Sequence, residues 1–543
     1  MKFLQGPLLA AVALLLLVAP AEAVDWEPPQ EKKAIEKEIK RTVKEWDQLS
    51  GNHDLVPQRR RRELIRRLGY MPHKKSIKAL RRILRKEKDT RARINTMVAI
   101  VRIGEVKDVE DVYKFCLKEI KPAAPYYKDV YPCYLGYALT YTPLDDVKDW
   151  IVEKPLEHSN HVIRLGAIEA IGLLKHKLAV PRLIEIHDRA AAKTGREGTT
   201  IRYESLRALG RIGGEQSEAL LLTAGKDKDW RIRLAVCETL LDHARSEEAL
   251  KMMRALFKED SQILREACAQ AVGRNKVEAL FPELVLTMRE GNLRAKSAAY
   301  ESLKLVTGQD FKLAPDVWEK WWRDKKKGKL TDEGKFAKGE RISVSTYYNF
   351  KIFSDHVLFV VDISGSMKWL EAPPQRIDVA KKQLVNVVRS LDPKTNFNLM
   401  TFASDMHTWN KQGGVPATKE NIDKALVWID KRFLPRGGTN THGAIMEALY
   451  NNPKVDTVYF LSDGLPSSGS MEVQEEIIVA LRDANRFRKV VFNTIALVFG
   501  KSRIEKAHKY EDPQEMGAFM ERIAEVTGGQ SVVIDRPFFD LDD

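Results

Sequence analysis

The sequence predicts a multidomain chain: an all-α solenoid of helical repeats, then an α/β domain with a mainly parallel central sheet and helices on both faces. Three observations predict it. A chain of 543 residues is too long for a single core. An apolar–Arg pair recurs through the first part at nearly constant spacing. In the last third, strand-like runs alternate with helical ones. With 44% apolar and 31% charged residues, the composition is that of an ordinary soluble globular chain.

The first segment is the exception. Lys2 gives a positive start, Leu8 to Val18 an apolar core, and Ala21-Glu22-Ala23 a small-residue cleavage site. The apolar core is shorter than the roughly 20 residues a membrane span needs. The segment therefore reads as a cleaved secretory signal, with a mature chain from Val24 that is exported, periplasmic or secreted, and carries no transmembrane span. The expected division is signal peptide 1–23, N-terminal helical extension 24–56, solenoid 57–323, linker 324–349 and α/β domain 350–543.

The repeats rest on Ile163-Arg164, Ile201-Arg202, Ile232-Arg233, Leu264-Arg265 and Leu293-Arg294, which are 29 to 38 residues apart. That is the period of a two-helix unit. Small residues follow each Arg at helical spacing: Ala167 and Ala170, Ser205 and Ala208, Cys268 and Ala271. Gly172, Gly210 and Gly273 are expected to end these first helices as left-handed caps. Second helices follow, such as Ala179 to His187 and Glu247 to Phe257. Tyr126 to Glu157 is Tyr-rich and lacks the Arg, as a degenerate repeat would. Trp318, Trp321 and Trp322 crowd the segment Asp310 to Arg323, which reads as a helix capping the repeat core. Asp324 to Gly339 is Lys/Gly-rich and reads as an exposed linker.

Cys116, Cys133, Cys237 and Cys268 have no zinc or redox spacing. They read as buried thiols, with Cys116–Cys133 the best candidate for a bridge in an exported chain. Equivalent positions on adjacent repeats lie on the order of 10 Å apart, which speaks against a Cys237–Cys268 bridge. The net charge of +14 lies before residue 341, since the rest has 25 basic and 26 acidic residues. The densest patches, Arg59 to Arg62 with Arg66 and Arg67, then Lys74 to Lys88, read as a solvated helix face or a contact for an acidic surface. No nucleic-acid motif accompanies them, so nucleic acid is not an expected partner.

In the α/β domain, strands are expected at Val357–Ile363, Asn396–Phe402, Thr457–Leu461, Val490–Val498 and Ser531–Ile534. The helices between and after them are Asp378–Leu391, Lys419–Lys431, Thr441–Tyr450, Glu472–Phe487 and Pro513–Val526. Ligands of such sheets sit at the carboxyl ends of the strands. Three oxygen-rich segments fall there: Asp362-Ile363-Ser364-Gly365-Ser366, Gly437-Gly438-Thr439-Asn440-Thr441 and Ser462-Asp463-Gly464. Two carboxylates and three hydroxyls suit a hard cation such as Mg²⁺ and exclude zinc or copper as good candidates. Thr441 and Asn440 read as an N-cap and a turn residue, and Asp405 and His442 as neighbours of the same edge.

The repeats resemble HEAT-like repeats, about seven in number. The final segment, about Phe353 to Asp535, resembles a von Willebrand factor A (VWA) domain with a metal-ion-dependent adhesion site. The resemblance implies metal ligands Asp362, Ser364, Ser366, Thr439 and Asp463. It also implies one cation, Mg²⁺ or else Mn²⁺ or Ca²⁺, and a protein partner that offers the metal an Asp or Glu. The expected function is non-enzymatic metal-dependent binding, with the solenoid as scaffold or second interaction surface. The rivals are a structural scaffold whose metal only stabilises the fold, a repeat-borne lyase (related repeats occur in bilin lyases), and a hydrolase. The hydrolase would use Ser364 or Ser366, His442 as base and Asp463 to orient it, yet no G-x-S-x-G elbow is present.

Overall fold

The computed structural model describes residues 26–51, 55–120, 130–193, 195–328, 345–368, 374–498 and 513–535. The expected signal segment lies outside them, as does most of the expected linker, 329–344. Among the described residues no helix is long and apolar enough to cross a membrane.

The chain divides into two compact units. One holds residues up to Val147 with Ser345–Ile352 and those from His356 onward; the other holds Lys148–Val344 with Phe353–Asp355. The first unit opens with α1 (Lys32–Leu49), α2 (Leu55–Leu68), α3 (Lys74–Lys86), α4 (Thr90–Ile103), α5 (Val106–Lys118) and α6 (Val130–Leu139). Helix α7 (Asp145–Glu153) straddles the change of unit.

The second unit continues with α8 (His161–Leu174), α9 (Val180–Ala191), α10 (Arg196–Ile212), α11 (Glu215–Ala224), α12 (Trp230–Thr239) and α13 (Glu247–Phe257). It ends with α14 (Gln262–Arg274), α15 (Phe281–Glu290), α16 (Leu293–Thr307) and α17 (Pro315–Lys326). Asn160, Asp229 and Ser261 cap α8, α12 and α14 by accepting from backbone N–H groups. Such caps contribute about 1 kcal/mol each. The apolar–Arg pair follows each cap by three residues, burying its apolar member and turning its Arg to a carboxylate. Arg233 meets Glu259 at 2.6 Å and Arg265 lies 3.6 Å from Asp260.

The expected glycine caps are not caps. Gly172, Gly210 and Gly273 lie inside α8, α10 and α14, and the left-handed residues come later, at Lys175, Gly213 and Lys276. A Cβ on Gly172 would fall 2.7 Å from Ala208 Cα, and one on Gly210 would fall 2.4 Å from Thr239 Cβ. The glycines are absent side chains at the seam between successive first helices. Cys237 and Cys268 are both fully buried on neighbouring first helices, α12 and α14. All four cysteines are buried free thiols, Cys116 and Cys133 included. Helix α17 runs past the expected start of the linker at 324, because Trp322 stacks on Phe281 with centroids 4.3 Å apart and Trp318 is fully buried.

The C-terminal part of the first unit is the expected α/β sheet. Its strands are β1 (Thr346–Tyr347), β2 (Phe350–Lys351), β3 (His356–Asp362), β4 (Asn396–Phe402), β5 (Met406–Thr408), β6 (Val415–Pro416), β7 (Thr457–Ser462), β8 (Val491–Leu497) and β9 (Ser531–Ile534). Strands β1 and β2 form their own hairpin. The main sheet runs β5-β4-β3-β7-β8-β9, parallel from β4 to β9, with β5 and β6 antiparallel on β4. The helices are α18 (Arg376–Ser390), α19 (Lys419–Arg432), α20 (Thr441–Tyr450), α21 (Gln474–Asn485) and α22 (Pro513–Glu525). Phe359, Val361, Tyr459 and Leu461 join Leu384 and Val388 of α18 and Ile429 of α19 in one core. The alternate residues Leu358, Val360 and Phe460 are equally buried toward the other face. Burial on both faces is why these strands read as continuous apolar runs.

Helices α2 and α4 bind this sheet's outer helices through buried charge. Arg62 of α2 lies 2.7 Å from Asp89 and 3.2 Å from Glu515 of α22. Arg91 of α4 pairs with Glu515 and lies 3.3 Å from Glu475 of α21. Arg522 of α22 reaches Glu475 at 2.9 Å. The Arg59–Arg67 run is therefore not an open basic face, because Arg61 is buried on Glu87 and Arg62 is buried in this network. Lys74, Lys75, Lys78, Arg85, Lys86 and Lys88 remain exposed. This grouping differs from a division at 324–349, because the ion pairs hold the first helices to the C-terminal ones.

Candidate metal centre

Strands β3 and β7 are adjacent and parallel, so their last residues, Asp362 and Ser462-Asp463, emerge side by side. After Asp362 the chain turns at once into a short 3₁₀ turn, Gly365–Lys368. The turn is held by Ser364 N donating to Asp362 Oδ1 at 2.7 Å. Ser462 Oγ donates to the other oxygen, Asp362 Oδ2, at 2.5 Å. The two serine hydroxyls of the turn lie 3.1 Å apart, and Ser366 Oγ donates to Asp463 Oδ1 at 2.7 Å.

The second loop is tied to the first by Arg436 N on Ile363 O at 2.7 Å and Gly365 N on Gly437 O at 3.0 Å. It is tied to the third by Thr439 and Ser467: Thr439 N donates to Ser467 Oγ at 3.0 Å, and Ser467 N to Thr439 O at 3.1 Å. A Cβ on Gly464 would meet Thr439 Oγ1 at 3.2 Å and Ser366 Oγ at 3.6 Å. The structure thus brings Asp362, Ser364, Ser366, Thr439 and Asp463 to one edge, all but Ser366 buried.

Sequence reasoning missed Arg376. It stands at the start of α18, is 1% exposed, and donates to Asp463 Oδ2 at 2.8 Å and to Ser366 O at 3.0 Å. An arginine in a first helical turn is an ordinary residue in sequence; only its burial marks it. The N-cap of α20 is Asn440, which accepts from Gly443 N, so Thr441 is not the cap. Asp405 faces outward to His407 and Arg436, away from the five. His442 meets Ser470 Oγ at 3.3 Å, while Ser366 gives its hydrogen to Asp463.

Burial, and then the charge of Asp463, push Asp362 up to about 7. With both carboxylates ionised, the one guanidinium leaves the cluster one negative charge in excess. Among the described residues no group of three or more His, Cys, Asp and Glu side chains is arranged to hold a metal. A cation at this edge would depend on the hydroxyls. The donor set, two carboxylates and three hydroxyls, fits a small hard dication that keeps waters.

Comparison with known proteins gives the family of each region. The family profile described as von Willebrand factor type A domain matches residues 355–533, and that of HEAT repeats matches 194–273. The chain is 33% identical over 132 residues to mouse inter-alpha-trypsin inhibitor heavy chain 4, which covers 22% of this chain and 13% of that one. It is 28% identical over 156 residues to heavy chain H1 of Mesocricetus auratus, covering 27% and 16%. The chain therefore spans only a small part of these relatives. Among solved structures, a von Willebrand factor type A protein from Catenulispora acidiphila is 16% identical, with 34% and 39% of the two chains covered and a TM-score of 0.28. Residues 355–533 of this chain are a von Willebrand factor type A domain, and the helical region ahead of it carries HEAT repeats.

Proposed function

We propose that this is an exported, non-enzymatic binding protein. In this reading Asp362, Ser364, Ser366, Thr439 and Asp463 hold one divalent cation, Mg²⁺ or else Mn²⁺ or Ca²⁺, and the VWA domain uses it to capture an Asp or Glu of a protein partner. The helical repeats serve as scaffold or second interaction surface, and the exposed lysines and arginines of α3 suit an acidic one. The observation that carries the reading is the convergence of five oxygen side chains from three loops on one sheet edge. When bound, the cation supplies a Lewis-acidic centre for the partner's carboxylate. Arg376 adds to this. With it, two carboxylates and a dication sum to one net positive charge, which favours an anionic ligand. Similarity to the inter-alpha-trypsin inhibitor heavy chains supports a role in protein interaction.

The melting temperature of the full chain is expected to rise with Mg²⁺ or Mn²⁺ and fall with chelator. At a hundred times Kd the gain is about 2.7 kcal/mol. Asp362 is fully buried and accepts from Ser364 N and Ser462, so its removal by alanine costs more than a ligand. Asp362→Asn keeps one acceptor oxygen and is the cleaner variant; it should abolish the rise. Partner capture that survives both chelator and Asp362→Asn would leave the scaffold alternative. Export is checked by the mass of the native chain, expected to begin at Val24.

A further inference from the structure

We infer that the seating of the N-terminal helices on α21 and α22 is coupled to the candidate metal site, with Arg91 as a positioning residue that acts through Glu475. The inference rests on the metal reading of that site. The loop that leaves Asp463 runs into α21, and Glu475 is the second residue of that helix. Between them the loop is pinned at the site, because Ser467 exchanges two hydrogen bonds with Thr439. Its far end is pinned by charge. Glu475 lies 2.9 Å from Arg522 Nη1 and 3.3 Å from Arg91 Nε, and the Arg91 guanidinium also holds Glu515 of α22.

One short loop is thus fixed at one end by the ligand set and at the other by an arginine from a helix near the start of the chain. Arg91 and Glu475 are each about nine-tenths buried. Losing one partner of such a buried pair leaves an uncompensated buried charge, which is strongly unfavourable. Breaking it leaves Glu475 to Arg522 alone and loosens the end of the loop that positions Thr439 and Asp463. Linkage then requires the converse: a ligand that orders the loop tightens the helices by the same factor.

The test uses the full chain and Mn²⁺ alone. Arg91→Met is expected to weaken Mn²⁺ binding about fivefold or more, and Arg91→Lys to recover part of it. In the wild-type chain, saturating Mn²⁺ is expected to slow amide exchange within Thr90–Ile103, a measurement that does not depend on a variant folding. An Arg91→Met chain that melts lower yet binds Mn²⁺ as wild type does would overturn the inference. So would exchange in Thr90–Ile103 that ignores Mn²⁺. A wild-type chain that binds no Mn²⁺ overturns the site reading and this inference together.

Discussion

Two side chains divide the carboxylate of Asp463, Ser366 taking one oxygen and Arg376 the other. The serine was legible in the sequence because its spacing from Asp362 forms part of a motif. The arginine was not, because its role depends on where α18 begins relative to β7, a tertiary fact with no local signature. The cysteines divide in a similar way. The burial of Cys268 was legible in the small-residue pattern, whereas that of Cys116, Cys133 and Cys237 depends on how the helices around them pack. Burial pushes the thiols of Cys116 and Cys237 well above the ordinary range, so little thiolate forms at neutral pH. The native chain is expected to be inert to Ellman's reagent and to release four thiols on unfolding without reductant. Fewer than four after unfolding would reveal a bridge.

At the scale of elements, every expected strand of the main sheet is present, and no strand end differs from expectation by more than one residue. The strands that were missed, β1, β2, β5 and β6, have two or three residues each, too few to carry a period. Their pairing comes from neighbours distant in sequence. The repeat glycines were located correctly and interpreted wrongly, since a helix-ending glycine and a helix-packing glycine look alike without the partner helix. The distinction has a measurable consequence at Gly172. Alanine there would gain about 1 kcal/mol of helix propensity. Against that stands its Cβ, 2.7 Å from the backbone of Ala208, which cannot swing aside as a side chain end would. Overpacking of this kind costs about 1–3 kcal/mol. Gly172→Ala is therefore expected to lower the melting temperature; a rise would show that the seam between the two helices yields to a methyl group.

For the whole molecule, the expected separation of a helical region from the α/β domain becomes a proposal about folding and cleavage. Proteolysis is expected to cut first within 324–339, where the sequence is richest in Lys and Gly. The two fragments should then stay together, because Arg62 and Arg91 lie on one side of the cut and Glu475, Glu515 and Arg522 on the other. Burial alone would raise Glu475, but Arg522 and Arg91 hold it at about 2, against an ordinary value of 4.5. Glu515 is also held low, and burial keeps the phenol of Tyr134 beside them neutral. A carboxyl depressed in the folded state stabilises it above its unfolded value, and that stability is lost as pH falls through the folded one. For Glu475 the window runs from about 4.5 down to about 2, and about 3 kcal/mol disappears across it. The nicked fragments should therefore co-elute on size exclusion at neutral pH and separate as the pH drops through that window, before the far-UV signal of either collapses. Separation already at neutral pH would show that the buried charges do not hold the first helices to the VWA domain.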